Sequence, residues 1–299
     1  MMHMIENLIT RRIAQAIADA IGESFGPGPP RTVGGGCINS AMVLSDGARH
    51  YFVKLNRADL LPMFEAEAAG LTEMAATRSI RVPHPLCAGV AGDRAFLAME
   101  YIRFDRRGTD GAATAGRQLA AMHRHSAERF GWHRDNTIGS TRQRNDPDSE
   151  WASFWRDQRL AFQLKLAADN GFTGRLQSSG DRLLDLFPAL IDHDPVPSLI
   201  HGDLWGGNMS YDQEGQPVIY DPAPYYGDRE ADLSMTELFG GFGADFYAAY
   251  REAWPLDAGY GTRKTLYNLY HILNHLNLFG GGYLGQSQAM IDRLLASLR

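Results

Sequence analysis

The stretch SLIHGDLWGGNMSYDQEGQPVIYDPAPYYGDREAD, Ser198 to Asp232, decides how this chain is read. A short apolar run, Ser198 to Ile200, ends in His201-Gly202-Asp203, and Asn208 stands five residues after Asp203. A second apolar run, Pro217 to Tyr220, ends in Asp221. Between them Asp212-Gln213-Glu214-Gly215 has turn chemistry, so the two runs are expected to pair as a hairpin. That hairpin collects Asp203, Asn208 and Asp221 at one mouth. Phosphoryl transfer needs such a set: one carboxylate to orient a hydroxyl nucleophile, and an amide and a second carboxylate to hold magnesium. Each of the three residue types is ordinary in a surface turn. Their spacing after an apolar strand is what carries the argument.

Working toward the N-terminus, TVGGGCINSAMVLSDGARHYFVKL (Thr32 to Leu55) reads as strand, Gly-rich turn, strand, Asp46-Gly47 turn and strand. Gly34-Gly35-Gly36 would let backbone N–H groups approach phosphates without interference from Cβ. The pattern departs from GxGxxG, because Asn39 stands where the last glycine would be. Lys54 ends its strand in the manner of a lysine that pairs the α- and β-phosphates. In the helix that follows, Phe64, Ala68, Leu71, Met74 and Ala75 make one apolar stripe. Glu67 lies on that stripe and Glu65 well off it. A carboxylate on a buried face needs a cation, which makes Lys54 its expected partner and Glu65 a solvated residue. Val82–Ala91 and Arg94–Ile102 read as two more strands. The second loses its apolar run at Glu100-Tyr101, as a hinge would, with backbone groups for an adenine edge and Met99 lining the pocket.

Ile5, Leu8, Ile9, Ile13, Ala16, Ile17, Ala20 and Ile21 predict an opening amphipathic helix. After about Arg103 the periods turn helical: 112–125, 150–170, 183–191, then 230–239, 244–253, 263–279 and 288–298. The fold expected is α+β: a β-rich lobe over 1–102 and a mainly helical lobe over 103–299. His123, His125, His271 and His275 have no metal-ligand context, and Trp151, Phe154 and Trp155 read as core.

The chain has 299 residues, 44% of them hydrophobic and 21% charged, as a globular protein has. A formal net charge of −6 without a basic run argues against nucleic acid and anionic membranes. No stretch is apolar enough for a spanning helix, and the N-terminus lacks a signal-peptide core. Two cysteines, Cys37 and Cys87, make neither a disulfide framework nor a zinc site. A cytoplasmic enzyme is expected.

The order Gly-rich hairpin, Lys54, Glu67, Asp203, Asn208, Asp221 resembles that of protein-kinase-like enzymes. Gly202 replaces the arginine of HRD, Asp221-Pro222-Ala223 replaces DFG, and no APE-like segment follows. GGGCINSA, FVKL, MFEAEAAGL, HGDLWGGN and DPAPYYGDREADLSMTELFGGF resemble the fructosamine kinase (ketosamine-3-kinase) family from about Gly34 to Phe242, and FGWHRDNTIGSTRQRND is similar to it too. The resemblance implies transfer of the ATP γ-phosphate to O3 of a ketosamine, free or on a protein, with deglycation as the result. It implies Asp203 as catalytic base, Asn208 and Asp221 as Mg2+ ligands, and Lys54 with Glu67 as the phosphate-positioning pair. Trp205 would be an aromatic platform for substrate, with Tyr225, Tyr226 and Asp228 weaker candidates for the same pocket. Asp232 would brace the catalytic loop. Cys37 stands where the family carries a cysteine in the nucleotide loop, which implies redox sensitivity and either a monomer or a redox-linked homodimer. The competing readings are an aminoglycoside- or choline-kinase-like enzyme and a nucleotide-binding regulator without turnover. The intact set Lys54, Asp203, Asn208 and Asp221 opposes the second.

Overall fold

The computed structural model describes residues 2–34, 38–105 and 111–298, the side chains of 2–6 excepted. Five antiparallel strands form a sheet of order β1-β2-β3-β5-β4: β1 (Arg31–Val33), β2 (Ser40–Ser45), β3 (His50–Arg57), β4 (Pro85–Ala91) and β5 (Arg94–Glu100). Strand alternation gives the sheet two faces. On one, Leu44, Val53, Phe96 and Ala98 pack against Ile13 and Ile17 of α1 (Met2–Ile21). Both isoleucines are fully buried, each stabilising by about 1.5–3 kcal/mol. On the other face Leu97 and Met99 meet Phe64, Leu71 and Met74 of α2 (Leu61–Ala76). Lys54 pairs in register with Leu97, so its side chain emerges on this second face, toward α2.

Beyond Glu100 the chain is mainly helical. α3 (Ala112–His123) precedes a small hairpin, β6 (Asn136–Ile138) and β7 (Thr141–Gln143), which the helical reading of this region missed. The helix expected over 150–170 is interrupted: α4 (Trp151–Trp155) passes through a π turn, Arg156–Leu160, into α5 (Ala161–Asp169). The helix expected at 183–191 starts earlier, as α6 (Arg175–Leu186), and ends in a 3-10 turn. α7 (Glu230–Leu238), α8 (Ala244–Ala253), α9 (Tyr260–Phe279) and α10 (Leu284–Ser297) complete the chain. Trp151, Phe154 and Trp155 are core, as expected, packed with Tyr267 and Tyr270 of α9. Among the described residues, no helix is long and apolar enough to cross a membrane.

The deciding stretch folds differently from its expected hairpin. β8 (Ser198–Ile200) does not pair with β10 (Pro217–Ile219). β10 pairs instead with β9 (Met209–Tyr211), and β8 pairs with β11 (Tyr225–Gly227), both antiparallel. The turn after Asp212 does close a hairpin, but β9 directly precedes it and is the nearer partner. The free edge of β8 is taken by the chain returning after Asp221-Pro222-Ala223-Pro224.

Candidate active site

One backbone hydrogen bond extends each short ladder and a third, from the His201 side chain, ties the two together, which still brings Asp203, Asn208 and Asp221 to one place. Tyr220 N–H donates to the Asn208 carbonyl (3.1 Å), and Ala223 N–H to the His201 carbonyl (2.9 Å). His201 Nε2 donates to the Tyr220 carbonyl at 3.0 Å. Asn208 Nδ2 donates to the Asp203 carbonyl at 2.9 Å and to its Oδ2 at 3.3 Å, which turns the Asn208 Oδ1 away from Asp203. Asp221 adopts φ +58°, in the left-handed region, where Asp is tolerated better than most residues.

Gly202 explains why no arginine stands before Asp203. Its φ is +81°, and a Cβ there would lie 2.0 Å from the Ala223 carbonyl oxygen. The loop is held from below by Asp232 of α7, which is buried. Asp232 Oδ2 accepts from His201 N–H at 2.6 Å, and Oδ1 accepts from Gly202 N–H at 2.8 Å. His123 Nε2 lies 3.1 Å from Oδ2, while its Nδ1 faces the Tyr250 hydroxyl at 2.8 Å. Burial works against the Asp232 anion, but His123 and the backbone donors overcome it and hold its pKa below the usual value. The bracing role expected for this residue is therefore visible in its contacts.

Lys54 reaches the same place from the sheet. Its Nζ lies 2.5 Å from Glu67 Oε1 and 2.6 Å from Asp221 Oδ1. Burial alone would lower the lysine pKa, yet the two carboxylates outweigh it and raise it. Burial raises the Glu67 pKa, against the pull of Lys54. The phase of α2 is as expected: Glu67 faces Lys54, whereas Glu65 is exposed, with Arg134 3.5 Å from its carboxylate. Asp203 is raised well above the ordinary carboxylate value, first by burial and then by the charge of Asp221, with Asn208 opposing. Such a carboxylate is a better proton acceptor than a solvated one.

Asp203, Asn208 and Asp221 present hard oxygen donors with net negative charge, a set that suits Mg2+. Of the expected nucleotide residues, Gly34 precedes β2, while Gly35, Gly36 and Cys37 lie outside the described residues. Met99 is buried, in one cluster with Phe64, Leu71 and Met74. Glu100 is engaged through its side chain by Arg81 (2.6 Å) and His84 N–H (3.3 Å), and the Tyr101 hydroxyl accepts from Arg31 at 3.0 Å. Trp205, two residues past Asp203, is 39% exposed.

Two substrate candidates are corrected. Tyr225 is buried, its ring 4.1 Å from the Arg159 guanidinium carbon and 5.8 Å from Phe154. Asp228 is also buried, bound to His193 Nε2 (2.8 Å) and to the Tyr267 hydroxyl (2.5 Å). The pleat of β11 turns Tyr225 toward the helical core, and neither residue faces the cleft. Tyr226, on the opposite face, donates its hydroxyl to Glu73 of α2 at 2.6 Å. Sequence reasoning missed the residues that hold the Asp221 loop. Asn136 Nδ2 donates to the Pro224 carbonyl (2.7 Å), and Gln143 Nε2 to the Ala223 carbonyl (3.0 Å). Their signal was a pair of amides flanking Thr137-Ile138-Gly139-Ser140-Thr141-Arg142, a turn between β-branched residues.

The chain is similar to known proteins along most of its length. The family model described as fructosamine kinase matches residues 9–297. The chain belongs to the fructosamine kinase family. It is 48% identical to a probable ketoamine kinase of Synechocystis sp., over 95% of this chain and 96% of that one. It is 45% identical to a chloroplastic protein-ribulosamine 3-kinase of Arabidopsis thaliana, over 90% and 83% of the two chains. The crystal structure of a putative fructosamine-3-kinase from Haemophilus somnus superposes with a TM-score of 0.88 at 29% identity, covering 95% of this chain and 96% of that one. The fold is thus the protein-kinase-like α+β fold expected of the family.

Proposed function

We propose that this chain is an ATP-dependent ketosamine kinase, which phosphorylates O3 of a 1-amino-2-keto sugar so that the unstable product releases its amine. The observation that supports this most is the convergence of Lys54, Glu67 and Asp221 with the Asp203–Asn208 loop, beside an exposed Trp205. The names of the Synechocystis and Arabidopsis relatives point to the same substrate class.

In this reading the sheet carrying Lys54 and the helical part carrying Asp203 are two lobes, 1–102 and 103–299, that enclose the nucleotide. Lys54, held by Glu67, binds the α- and β-phosphates, with backbone N–H groups of Gly34-Gly35-Gly36 above them. The backbone of Glu100 and Tyr101 receives the adenine edge. Asn208 and Asp221 hold Mg2+, which supplies charge neutralisation at the phosphates. Asp203 orients the attacking hydroxyl and accepts its proton. The face of Trp205 carries the C–H edge of the sugar and the substrate's ammonium. A panel of synthetic ketosamines with Mg-ATP, read by ADP release and by the position of the product phosphate, tests the assignment. Turnover of aminoglycosides or choline, with no ketosamine phosphorylated, would overturn it.

A further inference from the structure

Trp205 is the first ring of a longer series of aromatic contacts. Its indole meets Phe239 edge-on, with centroids 6.3 Å apart. Phe239 lies 5.0 Å from His275, and His275 lies 5.4 Å from Phe279 and 5.2 Å from Tyr283. Phe239 and Phe279 are 43% and 58% exposed. Four pieces of chain supply these rings: the catalytic loop, the end of α7, the last turns of α9 and the turn into α10. The series is built rather than loose. Trp205 lies over Gly207, where a Cβ would come within 2.3 Å of the indole. His275 Nδ1 donates to the His271 carbonyl at 2.7 Å, which sets that ring's orientation. One residue before Phe279, Leu278 Cδ1 and Ile38 Cδ1 both lie close to Gly139, 3.0 and 3.1 Å from where a Cβ on it would stand, so this end of α9 lies beside the segment that leads into β2.

A run of aromatic rings that begins two residues from Asp203, exposed at Trp205, Phe239 and Phe279 and partly buried at His275 and Tyr283, needs an occupant. A ketosamine phosphorylated at its sugar leaves the other substituent of its amine pointing out of the site. A lysine side chain reaches only about 6 Å at ~1.5 Å per carbon–carbon bond, no farther than the step from Trp205 to Phe239. His275, Phe279 and Tyr283 lie beyond a free glycated lysine. They fall within reach of residues that neighbour it in a polypeptide. We infer that Phe239, His275, Phe279 and Tyr283 form a subsite for apolar side chains flanking a glycated lysine, so that the enzyme selects its sites by local sequence.

The inference rests on the ketosamine reading, and the test separates the two. One sugar is placed on a capped single lysine, on a lysine flanked by Leu and Phe in a hexapeptide, and on the same peptide with Gly and Ser as flanks. kcat/KM is measured with Mg-ATP. The Leu/Phe peptide should exceed the Gly/Ser peptide by roughly 5–10-fold, as one or two aromatic contacts allow. Phe279→Ser and Tyr283→Ser should each bring that ratio toward one. Equal kcat/KM for the two peptides overturns the subsite while leaving the kinase reading intact. No phosphorylation of the capped lysine ketosamine sinks the kinase reading itself. If Phe279→Ser converts a dimer to a monomer in sedimentation and leaves the peptide ratio unchanged, the rings are a self-association face and the inference is wrong.

Discussion

Asp232→Asn is the sharpest test of how this site is held. The side chain is buried and accepts from two backbone N–H groups, at 2.6 and 2.8 Å, with His123 3.1 Å away. Asparagine has the same shape but only one acceptor oxygen. Whichever way its amide turns, an NH2 group faces a backbone N–H, and one buried donor loses its partner. A hydrogen bond to a charged group contributes about 1.5–3 kcal/mol, and a stranded buried donor costs about 1–3 kcal/mol more. The expected loss is therefore ~3–5 kcal/mol, within the ~5–15 kcal/mol that a folded domain has to lose. The variant should fold and unfold earlier in urea. Because both N–H groups belong to the loop that carries Asp203, kcat should fall by about tenfold or more. ATP affinity should change little, since Lys54 and Glu67 are untouched. The folded pKa of Asp232 is depressed, so its contribution is present above the ordinary value of 3.8 and is lost as pH falls through the folded value. The stability gap between wild type and variant should accordingly narrow only in acid. A loss below about 1 kcal/mol with unchanged kcat would show that the catalytic loop holds its shape without Asp232, and the argument would fail.

Asp203→Asn should lower kcat by about 10² or more while leaving nucleotide affinity nearly intact; near-wild-type turnover would remove it from the role of base. Lys54→Met and Glu67→Ala should both impair turnover, and Glu65→Ala should be nearly silent in the same assay. His193, its side chain largely buried against Asp228, has a pKa raised above 6.5: burial is the largest effect and lowers it, but the hydrogen bond and charge of Asp228 together outweigh burial. Its stabilisation is present below pH 6.5 and is lost as pH rises through the folded value. The melting-temperature gap between wild type and His193→Gln should thus be widest near pH 6 and shrink by pH 9. Burial pushes the Cys87 thiol up to about 11, which makes it a poor thiolate. Reversible peroxide inhibition should therefore survive Cys87→Ala and disappear in Cys37→Ala.

What was legible in the sequence and what was not divide along one physical line. Lys54 and Glu67 were readable because each obeys a local period: a strand end for one, the phase of an apolar stripe for the other. Both constraints act within a few residues, so the chain states them directly. The pairing of β8 was not readable, because three-residue strands carry too little alternation to name a partner. The choice between β10 and β11 is settled by tertiary bonds from residues far along the chain. Asn136 and Gln143, fixing the Pro224 and Ala223 carbonyls, are two of those. Tyr225 and Tyr226 show the same limit at the scale of one residue. A Tyr-Tyr pair in a strand must send its rings to opposite faces, and nothing local says which face is the core. Arg159 decides it: a fully buried guanidinium, it needs Asn145 Oδ1 at 2.7 Å and the Tyr225 ring at 4.1 Å to be tolerated there. The residues proposed to perform chemistry are announced by local spacing, while those that aim them are placed by burial of polar groups that must find partners across the fold.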